Sequence, residues 1–165
     1  NVSDSYLHHK RLAMKALVLI STILLSSLTY AQQLRIRGDV TFKFENTNIK
    51  AGEDYSLTTE SKQDGVRMDI KKLKKNNYWY VQVNKSDAFW DSRVKVLVRR
   101  TNNGSGNGYL WGGNNFMEIR SIPQRFVEGR GILNNIYLQY RLTGISTEIP
   151  SGTYSTNIVY TLYER

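Results

Sequence analysis

From Leu34 to Glu45 apolar and polar side chains alternate. Leu34, Ile36, Val40, Phe42 and Phe44 fall on one parity, and Arg35, Arg37, Asp39, Thr41, Lys43 and Glu45 on the other. A period of two sends successive side chains to opposite faces of an extended chain, so the stretch predicts a strand with one buried face. It excludes a helix, whose apolar stripe recurs roughly every 3.6 residues. Gly38 interrupts the apolar row, and a glycine inside a strand marks a bend, a bulge or a close backbone approach.

The same alternation returns along the chain. It places Val66, Met68 and Ile70 on one face, then Trp79, Val81 and Val83 with Tyr78, Tyr80 and Gln82 opposite, then Val94, Val96 and Val98. It recurs in Ile136, Leu138, Tyr140 and Leu142, and in a closing strand with Tyr154, Ile158, Tyr160 and Leu162 on one face. Tyr55 to Glu60 reads as a weaker strand and Phe116 to Ile122 as a short one ended by Pro123. Asn102 to Asn115 is so dense in Asn and Gly that it predicts loops or a tight hairpin, without a regular element. No helical period and no internal repeat interrupts this series, so the expected fold is all-β. It is a single antiparallel immunoglobulin-like β-sandwich of seven or eight strands.

The first residues do not share the pattern. Met14 and Lys15 open a basic start, Ala16 to Leu28 is apolar, and Thr29-Tyr30-Ala31 offers small residues where a signal peptidase cuts. Such an apolar run reaches about 20 Å as a helix against a hydrocarbon core of about 30 Å, so it reads as a signal peptide and not as a membrane span. The chain thus divides into an upstream leader (1–13), a signal peptide (14–31) and a β-sandwich domain (32–165). The expected location is secreted, periplasmic or at the cell surface, with no stable membrane span in the mature chain.

Composition narrows the chemistry. The chain has no Cys, and its two His are His8 and His9 in the leader, so the sandwich lacks any imidazole or thiol. Nucleophilic triads and zinc or copper sites lose their usual side chains. Paired carboxylates, Glu53 with Asp54 or Asp87 with Asp91, are the remaining enzymatic route, though adjacent strand residues point to opposite faces and loop acids are ordinarily just solvated. The expectation is no enzyme, no cofactor and no metal. A net charge of +9 favours polyanionic surfaces without naming one.

Two stretches are candidate binding sites. Lys71, Lys72, Lys74 and Lys75 form the densest charge and could grip an anionic polymer; the plainer reading is a solvated hairpin tip whose lysines discourage edge pairing. Tyr109, Trp111 and Phe116 sit in or beside Gly/Asn loops and could stack on sugar rings; alternatively Trp111 plugs one end of the sandwich. Trp79, alternating with Val81 and Val83, reads as core. The first strand is either an ordinary internal one, the simpler reading, or a segment donated to a neighbouring subunit.

Several stretches carry a resemblance: Trp79-Tyr80-Val81-Gln82-Val83, Trp90, Leu97-Val98-Arg99-Arg100-Thr101, Gly112-Gly113, Phe126 with Gly129, Tyr140-Arg141-Leu142-Thr143-Gly144, and Ile149-Pro150-Ser151-Gly152-Thr153-Tyr154. Together they resemble small exported bacterial β-sandwich proteins, and the ending is similar to the spore-coat-U and fimbrial-subunit group, whose last strand often follows a Pro-x-Gly-Thr-Tyr turn. The resemblance implies a non-enzymatic surface or extracellular subunit and supplies no catalytic residues. The expected function is therefore a secreted structural or adhesive subunit, pilin-like or coat-like, partnered by itself or by other envelope proteins. The alternative is a module binding anionic or neutral polysaccharide through the Gly/Asn/aromatic loop and a basic face. Nothing points to a specific nucleic acid.

Overall fold

The computed structural model describes residues 33–43, 57–71, 73, 77–146 and 148–165. The leader, the signal-peptide segment, the Glu53-Asp54 pair, Lys72, Lys74 and Lys75 lie outside the described residues. Ten strands occur among those described: β1 (Gln33–Arg37), β2 (Leu57–Glu60), β3 (Val66–Lys71), β4 (Tyr78–Phe89), β5 (Lys95–Arg100), β6 (Gly108–Gly112), β7 (Met117–Glu118), β8 (Gln124–Gly131), β9 (Leu133–Ile145) and β10 (Ser155–Glu164). All pair antiparallel. They form sheet A in the order β1-β3-β9-β5-β7, with β2 also on β9, and sheet B in the order β10-β4-β8-β6. The domain is thus an all-β sandwich, and no helix long and apolar enough to cross a membrane occurs among the described residues.

The alternation accounts for the core. Val66, Met68 and Ile70 of β3, Val96 and Val98 of β5, and Ile136, Leu138, Tyr140 and Leu142 of β9 are buried from sheet A. Trp79, Val81 and Val83 of β4 and Phe126 and Val127 of β8 are buried from sheet B. Ile158, Tyr160 and Leu162 of β10 pack against the same cluster. Phe126 and Val127 are sequence neighbours, yet both turn inward; the register between β4 and β8 shifts there, a bulge that returns Glu128 to the outer face.

Trp79 is the largest fully buried side chain. It lies against Gly129 of β8, where an added Cβ would stand 2.4 Å from the indole Cζ2, and its Nε1–H donates to the Gly131 carbonyl at 2.7 Å. The two sheets are joined by a polar contact between the hydroxyls of Tyr140 on β9 and Tyr160 on β10, 2.7 Å apart.

Three expectations need correcting. The alternation starting at Leu34 does not make one long strand: β1 ends at Arg37, because Gly38 has φ +100° and its α-carbon sits so close to Gly65 that a Cβ would meet the Gly65 carbonyl at 2.3 Å. Val40 and Phe42 still pack against the core from irregular backbone. The Asn/Gly stretch does hold a regular element, β6, paired with β8 over Gly108 to Gly112; with β8, whose glycines disguise it, it takes the strands past the seven or eight expected. Tyr154 is not on the inward face of the last strand. It precedes β10, donates its hydroxyl to the Pro150 carbonyl at 2.6 Å, and a register shift at Ser155/Thr156 separates it from the β10 alternation.

β2 and β3 run along the same edge of β9. Leu57 pairs with Ile145 and Glu60 with Arg141, and the line resumes with Val66 on Leu138 and Ile70 on Leu133. Ser61 bridges the gap, its N–H on the Tyr140 carbonyl at 2.8 Å and its Oγ accepting the Tyr140 N–H at 2.9 Å. β1 pairs with β3 of its own chain from Gln33–Lys71 to Arg37–Arg67, as an internal first strand does.

Gly129→Ala drives a methyl into the Trp79 ring and should cost about 1–3 kcal/mol by overpacking, read as a lower urea midpoint at unchanged slope. Burial pushes the Tyr140 hydroxyl up to about 12 from its ordinary 10.0, against the opposing effect of the Tyr160 hydrogen bond. Burial, then the Tyr140 charge and hydrogen bond, raise Tyr160 well above its ordinary value too. The folded state therefore holds these protons after the unfolded chain has lost them. Stability should be intact below pH 10 and fall as pH climbs from 10 toward 12. The Y140F/Y160F double variant, followed by circular dichroism, should unfold at higher pH than the parent.

Candidate functional site

Since Trp79, Val81 and Val83 face inward, the intervening β4 residues Tyr78, Tyr80 and Gln82 face outward. Their neighbours follow from the register. One cross-strand row runs Tyr163 (β10), Tyr80 (β4), Glu128 (β8), Trp111 (β6); the adjacent row runs Tyr78, Arg130, Tyr109. On the other side of the first row, Thr161 faces Gln82, which faces Arg125. The outer face of sheet B thus gathers five aromatic rings and two arginines, with Arg165 following β10.

The rings are organised in pairs. Tyr80 and Tyr163 stack with centroids 4.9 Å apart and planes 12° apart, and Tyr109 and Trp111 stack at 6.2 Å and 23°. Arg125 lies over Tyr80 at 4.4 Å, Arg130 over Tyr78 at 5.2 Å and Arg165 over Tyr80 at 5.4 Å. Arg125 also pairs with Glu128 at 3.2 Å. Such stacking holds planar guanidinium groups against ring faces while leaving their edges to donate hydrogen bonds.

These rings are open to solvent: Tyr109 is 70% exposed, Tyr78 53%, Trp111 46% and Tyr163 41%. Large exposed apolar side chains gathered on one face mark an interaction surface, whereas scattered ones do not. From β10 to β6 the face spans three interstrand spacings, about 14 Å.

The sequence candidates divide. Tyr109 and Trp111 stand together on β6, and Trp111 does not plug the sandwich, since its ring stacks on Tyr109 at the surface. Phe116 does not join them. It is half-buried beneath two sheet A arginines, Arg99 at 4.5 Å and Arg141 at 3.8 Å, because the Gly112-Gly113 turn, both at positive φ, carries the chain from the sheet B edge across to β5. Lys71 closes β3 at 3.9 Å from Asp69, a buried carboxylate that accepts the N–H of Asn135 at 2.9 Å and is flanked by Arg37 and Arg67. Leu73, between the lysines, is buried in the core.

The acidic pair Asp87 and Asp91 is bound up separately. Burial works to raise Asp87, but hydrogen bonds from Lys85 and Thr156 and the Lys85 charge bring it below the ordinary carboxylate value. Asp91, hydrogen-bonded by the side chain and backbone of Arg93, is held down to about 2. A general acid needs a raised pKa, and neither has one.

Tyr78, Tyr80, Tyr163, Arg125 and Arg130 were not among the sequence candidates. The signal that marks them is aromatic residues on the polar parity of a strand, where burial does not call for them.

Comparison with known protein families, with curated proteins and with solved structures finds no match to this chain. The site therefore rests on its own geometry.

Of the three tryptophans, Trp79 is 1% exposed, Trp90 is half-buried with Nε1 bonded to the Val94 carbonyl at 2.7 Å, and Trp111 is open. Acrylamide should quench chiefly the Trp111 component of the fluorescence. Trp111→Phe should remove that component while moving the thermal midpoint little, by roughly 0.5 kcal/mol or less in stability.

Proposed function

We propose that the chain is an exported, non-catalytic β-sandwich that adheres to polysaccharide through the outer face of sheet B. The observation that carries this reading is the exposed set of Tyr78, Tyr109, Trp111 and Tyr163 on one sheet face, with half-buried Tyr80 stacked beneath Tyr163. A pyranose ring has an apolar C–H face and a polar rim of hydroxyls, so it complements an aromatic ring edged by hydrogen-bonding groups. Gln82, Glu128 and the stacked arginines supply such groups between the rings.

The form of the surface favours a polymer over a small molecule. Small ligands are held in concave pockets that bury most of their area. Here the rings lie on a sheet face with strands side by side, and a chain of sugar rings can lie across several strands and touch the Tyr80/Tyr163 and Tyr109/Trp111 pairs together. Modest contacts repeated along one ligand add up in this way without any deep cleft. An adhesive role for a surface or extracellular protein fits the export expected from residues 14–31, and it requires no strand from a neighbour, because β1 is paired within its own chain.

Retention on insoluble chitin and cellulose and mobility in gels containing soluble glucans and mannans test the reading. The parent should be retarded by at least one of them. Trp111→Ala with Tyr109→Ala should weaken binding at least about tenfold, some 1.4 kcal/mol, at an unchanged thermal midpoint. Equal retention of parent and variant, or retention of none of these polysaccharides alongside tight binding of oligothymidylate, would sink it.

A further inference from the structure

A second site lies at the far end of β5, independent of the aromatic face. Arg100, the last residue of β5, is only 6% exposed. Its Nε donates to the Gly112 carbonyl at 2.5 Å, and its Nη1 donates to the Asn102 carbonyl at 3.0 Å and to the Asn103 Oδ1. All three acceptors are neutral, and no carboxylate among the described residues lies within ion-pair distance of Arg100. Buried guanidinium groups ordinarily hold an acid, since a charge out of water is costly unless it is paired. Burial lowers the Arg100 pKa from its ordinary value, as an uncompensated cation requires.

Arg100 does not stand alone. It lines a depression of about 380 Å³ together with Arg99, Thr101, Asn103, Asn114 and Gln63. No acid is among the lining residues. The Arg99 Nε is committed to the Gln139 Oε1 at 2.9 Å, and its guanidinium lies over Phe116 at 4.5 Å, which fixes its plane. Arg99 Nη1 and Nη2, Arg100 Nη2 and the Asn114 amide donate to no group among the described residues. Both arginines line the depression while keeping the alternation of β5, Arg99 half-buried and Arg100 buried, because the depression lies at the end of the strand, where the chain passes on into Thr101 and Asn102.

We propose that this depression binds an oxyanion: the carboxylate, sulfate or phosphate group of a small or terminal ligand. Two guanidinium groups held by their own neutral partners, with amide donors beside them and no competing carboxylate, are the donor set that recognises such a group through short charge-assisted hydrogen bonds. The ligand's charge compensates Arg100, and the donors left over on Arg99, Arg100 and Asn114 receive its oxygens. The aromatic face of sheet B takes no part.

The test is titration of the ¹⁵N-labelled protein with sodium phosphate, sodium sulfate and sodium acetate, each at constant ionic strength set with sodium chloride. The Nε–H signals of Arg99 and Arg100, the Asn114 side-chain amide and the backbone amides of Thr101 and Asn103 should shift and saturate in at least one arm. The arm that saturates first separates a tetrahedral anion from a carboxylate. Arg99→Gln and Asn114→Ala should each weaken binding roughly tenfold, the loss of a charge-assisted contact, at an unchanged thermal midpoint. Arg100 itself is kept, since its three bonds hold the loop. Shifts that stay linear in all three arms, shifts of equal size at Arg125 and Lys95, or undiminished binding in both variants would each overturn the site.

Discussion

The indole of Trp79 against Gly129, with its N–H on the Gly131 carbonyl, is the contact on which the rest of sheet B depends. A ring of that size can enter the core beside β8 only where β8 has no side chain, and its one polar atom needs an acceptor once buried. Both conditions are met two residues apart on the same strand. With the ring seated, the parity of β4 is settled: Val81 and Val83 follow it inward, and Tyr78 and Tyr80 have nowhere to go but out. Leu110 of β6 pairs with the same Gly129, which sends Tyr109 and Trp111 to the side where the β4 tyrosines already stand. One buried aromatic thereby organises the outward-facing ones.

The two outer faces differ in chemistry. Sheet B presents aromatic rings with arginines stacked on them. Sheet A presents charge: Arg37, Arg67 and Lys71 surround the buried Asp69, Arg141 pairs with Glu60, and Lys95 with Glu118. Asp69 is structural, because its Oδ1 receives the N–H of Asn135, the residue at φ 57° in the bulge between β3 and β9. Arg99 and Arg100 differ from these cations in having only neutral hydrogen-bond partners among the described residues, and both border the depression at the end of β5.

Much of the fold was legible because burial on one face of a strand imposes a period of two, and that period survives in β3, β4, β5, β9 and β10 with little interruption. The outward placement of Tyr78 and Tyr80 could be read from the same pattern. β6 was hidden because glycines at its ends and Asn around it suppress every local strand preference; it exists because β8 offers it a partner. Phe116 sits five residues from Trp111 and yet belongs to the other sheet, since the turn at Gly112-Gly113 changes layers. Leu73, between the lysines, is drawn into the core, a burial that the charge around it hides in the sequence.

By itself the sequence determined the fold class, the inward and outward parity of the long strands, and the want of imidazole and thiol in the sandwich, because these follow from composition and from the geometry of a single extended chain. Tertiary structure alone decided which outward residues stand side by side. Tyr163 meets Tyr80, and Trp111 meets Glu128, through hydrogen-bond registers between strands far apart in the chain. That Arg99 and Arg100 border one depression was decided likewise, by chain distant in sequence, Gln63 and Asn114, brought to the end of β5. Local sequence sets which way a side chain faces; only the pairing of distant strands sets what it faces with.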